Sequence, residues 1–358
     1  MFDARLKFNN MNLNIQHIAG VLKNCWKETV AHKFANGTNL LIMFHGGRLI
    51  GFSSAKNDEN FLWTNPALKT AVDAKAFYEQ QQWRNSGGDR TWLAPELELF
   101  FPNYPDLNVY VQPQQLDPGN FLIDTTDDSI SVRNKLAVNL YKSKQVVNLA
   151  MTKKFTSADN PVPQIDIEYA GFTSTTSLEI LDSNKYNCAN IGLWHLTQLP
   201  CGGKMIVPTY QEANPVTIFG ELFKKDLSIS DNLCLYNVSN EGSCKFSLQA
   251  IEITGRAGYV YDNEGSQTLV VRNFFVNPCG LYIDVPFNEP QRTGFAFQVC
   301  KINNPQWGNF VELEYHTPAI GSAAGQFECT DVSQTWAFRG EPEKIQKIIK
   351  LLLTSSKI

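Results

Sequence analysis

From about residue 40 to residue 338 one pattern recurs: short runs rich in Val, Ile, Phe and Tyr, alternating apolar and polar, each bounded by Gly, Pro, Asn or Asp. Alternation at period two sends successive side chains to opposite faces of an extended strand, so each run reads as a strand with one covered face. The runs include 49–53, 97–101, 108–112, 145–155, 204–207, 258–262, 268–275, 280–285, 309–315 and 334–339. Parallel strands need crossovers of about a dozen residues or more, usually helical, and none separates these runs. The expected fold is therefore all-β, with large antiparallel sheets stacked face to face. Asn240-Glu241-Gly242 and Asp262-Asn263-Glu264-Gly265, each between alternating runs, carry the turn chemistry of hairpins.

Three segments read as helix. Residues 18–31 place Val21, Leu22, Cys25, Trp26 and Val30 near one face, and residues 66–82 open with Pro66 in the first turn. The third runs from Glu341-Pro342 to about residue 353. In it Ile345, Ile348, Ile349 and Leu352 form a stripe, and Lys344, Lys347 and Lys350 cover the other side. Such a stripe covers a sheet from outside or meets a second copy of the chain. Residues 156–163 are the nearest thing to a linker, but strands of one style continue on both sides, so residues 1–358 read as one β domain. No repeat at a period of about 20–50 residues points to a propeller or solenoid.

Composition narrows the partners. Charged residues make up 18% of the chain, the net charge is −4 and the pI is about 5.8. That leaves no basic field for a phosphate backbone, so nucleic acid is not an expected partner. No stretch approaches the ~18–20 apolar residues of a membrane span, and residues 1–20 lack the pattern of a signal peptide. Cys25, Cys188, Cys201, Cys234, Cys244, Cys279, Cys300 and Cys329 are scattered, with no C-x-x-C and no Cys/His spacing for zinc. Reduced, mostly buried thiols in a cytoplasmic protein are expected, or a periplasmic one if a leader was removed. No cofactor or metal is expected, and no nucleotide or serine-hydrolase motif occurs.

Three stretches could carry chemistry. Gly87-Gly88-Asp89-Arg90-Thr91-Trp92-Leu93-Ala94-Pro95-Glu96 combines a flexible turn, a guanidinium, an indole and carboxylates, which suits a polyhydroxylated ligand and equally suits a surface turn with a local Asp–Arg pair. In Val311-Glu312-Leu313-Glu314-Tyr315-His316, strict alternation puts Glu312, Glu314 and His316 on one face, where crowded carboxylates raise a pKa and one can serve as a base. In Gly192-Leu193-Trp194-His195-Leu196-Thr197-Gln198, alternation puts His195 and Thr197 on one face and Trp194, Leu196 and Gln198 on the other. Either run also fits an ordinary half-buried strand.

Taken in order, these stretches resemble the galactose mutarotase-like superfamily. Phe44-His45-Gly46-Gly47-Arg48-Leu49-Ile50-Gly51-Phe52 is similar to the opening hairpin of aldose 1-epimerases, and the run from Gly87 to Glu96 resembles the G-G-x-R-x-W-x-x-P-E signature of bacterial members without assigned function. Trp194-His195-Leu196-Thr197-Gln198, followed by Gly202-Gly203 and Pro208, looks like the segment holding the family's acid histidine. Phe310-Val311-Glu312-Leu313-Glu314 before Pro318 falls where the family keeps its catalytic glutamate. The resemblance implies a large antiparallel β-supersandwich with a few peripheral helices and a mono- or oligosaccharide ligand. The protein would be a monomer or homodimer, either an aldose 1-epimerase or a non-catalytic sugar binder. It implies Glu312 as base, preferred to Glu314 for its distance from Pro318, and His195 as acid. Arg90, Trp92, Asp89, Glu96, Glu314 and His316 would contact the sugar. The chain departs from the family around His195, where an Asn-His-x-Tyr-Phe motif is missing, and it has no clear second active-site histidine.

Overall fold

The computed structural model describes residues 13–181, 189–263 and 265–356; Cys188, Glu264 and the first twelve residues lie outside this set. Among the described residues the alternating runs form two antiparallel sheets. The first has nine strands in the order β1 (Thr29–Lys33), β2 (Asn39–Met43), β3 (Arg48–Ser53), β4 (Asp89–Ala94), β9 (Gly192–Pro200), β18 (Gly308–His316), β17 (Phe295–Asn304), β14 (Cys244–Gln249) and β11 (Val216–Gly220). The second has ten: β12 (Leu227–Ser230), β13 (Leu233–Asn237), β10 (Lys204–Pro208), β15 (Arg256–Asn263), β16 (Ser266–Asn273), β19 (Glu328–Gly340), β8 (Glu168–Ile180), β7 (Gln145–Ser157), β6 (Ser129–Leu140) and β5 (Leu122–Thr126). The inner faces meet in an aromatic core, with Phe52 of one sheet edge-on to Phe172 of the other at 5.0 Å.

Burial separates two kinds of strand. Along β6 and β7 it alternates, as expected where one face meets solvent, but β4, β9 and most of β18 are buried on both faces. Their outward polar side chains therefore lie under a cover made by the connections around residues 95–121 and 274–294.

Several expectations fail for local reasons. The run at 97–101 is a short helix, α3 (Glu96–Leu99; the first two helices follow below), and neither 108–112 nor 280–285 is a strand. Pro95 has no N–H to continue a ladder after Ala94, and a short apolar alternation fits a helical turn as well as a strand. The turn at Asn240-Glu241-Gly242 joins β13 in one sheet to β14 in the other, so it is a crossing between sheets instead of a hairpin. β15 and β16 do pair as one. The first helix, α1 (Ile15–Asn24), is capped by the Asn14 side chain and ends before Trp26, whose φ is 53°. Residues 29–31, expected as helix, instead open β1, which pairs with β2 and suits their Thr and Val. The segment at 66–82 splits into a 3-10 turn (Pro66–Lys69) and α2 (Ala71–Glu79), with Thr70 capping the latter.

The last helix, α4 (Pro342–Leu352), lies where its stripe requires: Ile345, Ile348 and Ile349 are fully buried in a cluster with Val271 and Phe338 on the outside of the second sheet. Each such side chain stabilises by roughly 1.5–3 kcal/mol relative to exposure. The described cysteines carry thiols, most of them buried.

Candidate active site

Strand register assembles the site. Arg90 and Glu314 both stand opposite Leu196 on β9, Trp92 and His316 both stand opposite Trp194, and Gln198 faces Glu312, which in turn faces Cys300 and then Lys245. All of these side chains share the outer face of the first sheet. The approach to β4 depends on two glycines. Gly87 and Gly88 have φ of 102° and 82°, and a Cβ on either would meet a backbone carbonyl, of Trp63 or Leu49, at 2.4 or 2.3 Å.

The result is a cavity of about 320 Å³ lined by, among others, Arg90, Trp92, Glu96, Trp194, Lys245, Glu312 and Glu314, with Trp83, Tyr110 and Trp307 closing over them. Arg90 Nη1 lies 2.8 Å from Glu312 Oε1, an ion pair poorly aligned for a hydrogen bond, and its guanidinium stacks 4.1 Å over the Trp92 ring. Gln198 Nε2 donates to the same Glu312 oxygen at 2.8 Å. Lys245 Nζ stands 3.2 Å from Glu96 Oε2, 3.4 Å from Glu314 Oε2 and 4.3 Å over the Trp194 ring. Trp194 Nε1 donates to Glu314 Oε2 at 2.7 Å, and Tyr110 donates to Glu96 at 2.9 Å. Arg90 Nε, Trp83 Nε1 and Glu314 Oε1 are buried and have no hydrogen-bond partner among the described residues. Buried polar atoms are nearly always paired, so these are positions for a ligand's hydroxyls or for water.

One lysine serves two buried carboxyls here. Burial, with Glu312 and Glu96 adding to it, pushes Glu314 up to about 8 despite Lys245. Burial also raises Glu96, again against Lys245. Burial opposes the Lys245 charge, but Glu314 and Glu96 outweigh it and hold the ammonium protonated. Near neutral pH the cluster therefore keeps an acidic proton on Glu314, inside the cavity.

Not every expected residue arrives. His195 is fully buried on the opposite face of β9, between the sheets. Its Nδ1 is 3.0 Å from Thr91 Oγ1, its ring stacks on Tyr315 at 4.5 Å, and Nε2 is 3.5 Å from Asp331 Oδ2. Glu312 and His195 thus lie on opposite sides of one sheet and cannot act as a proton-transfer pair on one ligand. Their strands pair His195 with Tyr315, the inward-facing neighbour of Glu314. Asp89 also points inward, to Lys153 at 2.6 Å and Arg272 at 2.7 Å. Its place is an ionic network between the sheets instead of a sugar contact. His316 shares the outer face but lies under the cavity floor, stacked on Trp194 at 5.6 Å and 3.7 Å from Asp284. Burial lowers it to about 4, so it is neutral there. Arg90, Trp92, Glu96, Glu312 and Glu314 do converge. Lys245, Trp83, Tyr110 and Trp307 come from distant segments; only Lys245 left a trace in the sequence, as a lone cation on a strand otherwise rich in apolar residues.

Cys300, Glu312 and Glu314 bring potential metal-ligand atoms within 4.8 Å of one another. Burial and the neighbouring carboxylates push the Cys300 thiol well up, and Arg90 and Lys245 already face the two carboxyls. That donor set does not fit a resident cation.

The molecule is thus a two-sheet antiparallel β-sandwich with an aromatic, carboxyl-lined cavity on the outer face of one sheet. The chain belongs to a family of unknown function, DUF6786, whose sequence profile matches residues 26–356. No curated protein matches the chain. Among solved structures it is similar to a galactose mutarotase-like protein from Lactobacillus casei ATCC 334 (9% identity, 87% of this chain and 100% of that one, TM-score 0.48). It is also similar to a galactose mutarotase related enzyme from Lactobacillus acidophilus (13% identity, 86% and 97%, TM-score 0.49). The galactose 1-epimerase of Lactobacillus acidophilus NCFM aligns at 8% identity over 88% and 95%, with a TM-score of 0.42.

Proposed function

We propose that this protein binds a saccharide in the outer-face cavity and interconverts its anomers, with Glu312 taking and Glu314 giving the proton. The observation that carries this is the pair itself. Two carboxyls two residues apart on β18 face one cavity, one paired with Arg90 and the other pushed up to about 8. Neighbouring carboxyls in contrasting environments are the usual basis for acid and base roles.

The anomeric hydroxyl oxygen and the ring oxygen of an aldose are bonded to the same carbon, so two groups on one side of the sugar reach both. Glu312 takes the hydroxyl proton as the C1–O bond becomes a carbonyl. The bond from C1 to the ring oxygen breaks, and Glu314 protonates that oxygen. Rotation about C1–C2 and the reverse proton transfers close the other anomer. Arg90 and Lys245, held over the Trp92 and Trp194 rings, donate to the sugar's hydroxyls. Such proton transfer is typically worth ~10²–10⁴-fold in rate.

Anomer exchange measured by NMR over a panel of aldoses tests the reading. Wild type should exceed buffer on at least one sugar, Glu312→Gln and Glu314→Gln should each lose roughly a hundredfold or more, and His195→Asn should keep the rate. Wild type no faster than buffer on every sugar would refute catalysis. Saturable binding that persists in Glu312→Gln without exchange would then identify a sugar binder.

A further inference from the structure

We propose that the ligand is an oligosaccharide, whose second unit occupies a glutamine-lined cavity adjoining the first. This rests on the saccharide reading above and names its substrate class. A cavity of about 600 Å³ shares Trp83, Tyr110, Gln112 and Trp307 with the 320 Å³ pocket, so the two compartments meet along an aromatic wall. Ligand sites commonly span about 300–1,000 Å³, and the smaller compartment sits at the lower end, enough for a single ring.

The chemistry of the larger compartment is distinctive. Gln80, Gln81, Gln82, Gln114 and Gln306 join Gln112 around it, contributed by the segment after α2, the connection before β5 and the turn between β17 and β18. A carboxamide both donates and accepts, as a sugar hydroxyl does, and it carries no charge to attract ions. Its acid, Asp117, is already held by Arg48 at 2.7 Å and by the Trp92 indole at 3.1 Å. Burial lowers its histidine, His45, to about 4, which leaves it neutral.

Two contacts fix the walls. Gln306 Nε2 donates to Gln82 Oε1 at 2.7 Å, and Asn85 Nδ2 donates to the Trp307 carbonyl at 3.1 Å. Trp83 stands at the junction, its ring 5.9 Å from both the Arg48 and the Arg90 guanidinium, and its buried Nε1 has no partner among the described residues. A ring bound beside Arg90 and Glu312 continues past Trp83 into the glutamines.

Calorimetric titration with glucose, galactose and mannose, and with maltose, cellobiose, lactose and their trisaccharide homologues, tests this. At least one disaccharide should bind about tenfold or more tightly than its parent monosaccharide, the worth of one or two added hydrogen bonds. The double variant Gln82→Ala/Gln306→Ala, at two exposed side chains, should abolish that gain and leave monosaccharide affinity and thermal stability unchanged. A disaccharide bound no more tightly than its monosaccharide, or a gain that survives the double variant, overturns the inference while the saccharide reading stands. Binding of no sugar in the panel overturns both.

Discussion

Asp89 gives the sharpest test of how the sequence maps onto the two faces of the first sheet. It is 1% exposed, accepts from Thr197 at 2.8 Å and faces Lys153 and Arg272, which are 4% and 1% exposed. Burial alone would raise its carboxyl, but the two cations overcome that and hold it well below the usual carboxylate range. Asp89→Asn keeps the shape and removes the charge, leaving two buried cations short of their counterion. Breaking a buried pair in this way costs about 3–5 kcal/mol. For 358 residues at ~2.1 cal/mol/K per residue the unfolding entropy is about 0.75 kcal/mol/K, so Tm should fall by roughly 4–7 °C.

Thermal and urea unfolding followed by circular dichroism measure this directly. A depressed folded pKa gives stability that is present above the unfolded value, about 3.9, and is lost as pH falls through the folded one, so the gap to wild type should close only in acid. Because the carboxylate lies between the sheets, saccharide affinity should not change. A Tm within about 2 °C of wild type, or affinity lost at unchanged Tm, would refute this placement.

Glu314 and α4 offer two further tests. The raised carboxyl of Glu314 contributes stability that is full below about pH 4.5 and is lost as pH rises through about 8, so the stability of wild type relative to Glu314→Gln should fall over that window; a constant difference from pH 5 to 9 contradicts it. Anomer exchange should decline above about pH 8 as the same proton is lost. Ile348→Asp, at a fully buried position under α4, should cost about 3–5 kcal/mol or more in urea unfolding, whereas Lys347→Ala on the exposed side should stay within about 0.5 kcal/mol. Equal effects at the two positions would mean that the stripe does not face the sheet.

Much of this architecture was legible because it is written at short range. Alternation over six or more residues names a strand such as β7 or β19, and spacing over two turns names the α4 stripe. The same alternation correctly put Glu312 and Glu314 together and separated His195 from Trp194. Where it failed, the local signal was ambiguous. Glu96–Leu99 alternates as a strand would, yet it forms one helical turn after Pro95, and residues 29–31 fit a helical face until pairing with β2 decides for strand.

The sequence alone determined the all-β class, the helix at the C-terminus and which side chains within each strand travel together, since those follow from backbone periodicity. Only the tertiary structure decided which face of β4 and β9 looks into the cavity. Periodicity is symmetric between faces; the choice depends on the second sheet covering one of them and on distant segments, carrying Trp83, Tyr110 and Trp307, covering the other. That packing sent His195 and Asp89 inward and left Glu312 with Glu314, beside a lysine from β14, to share the site.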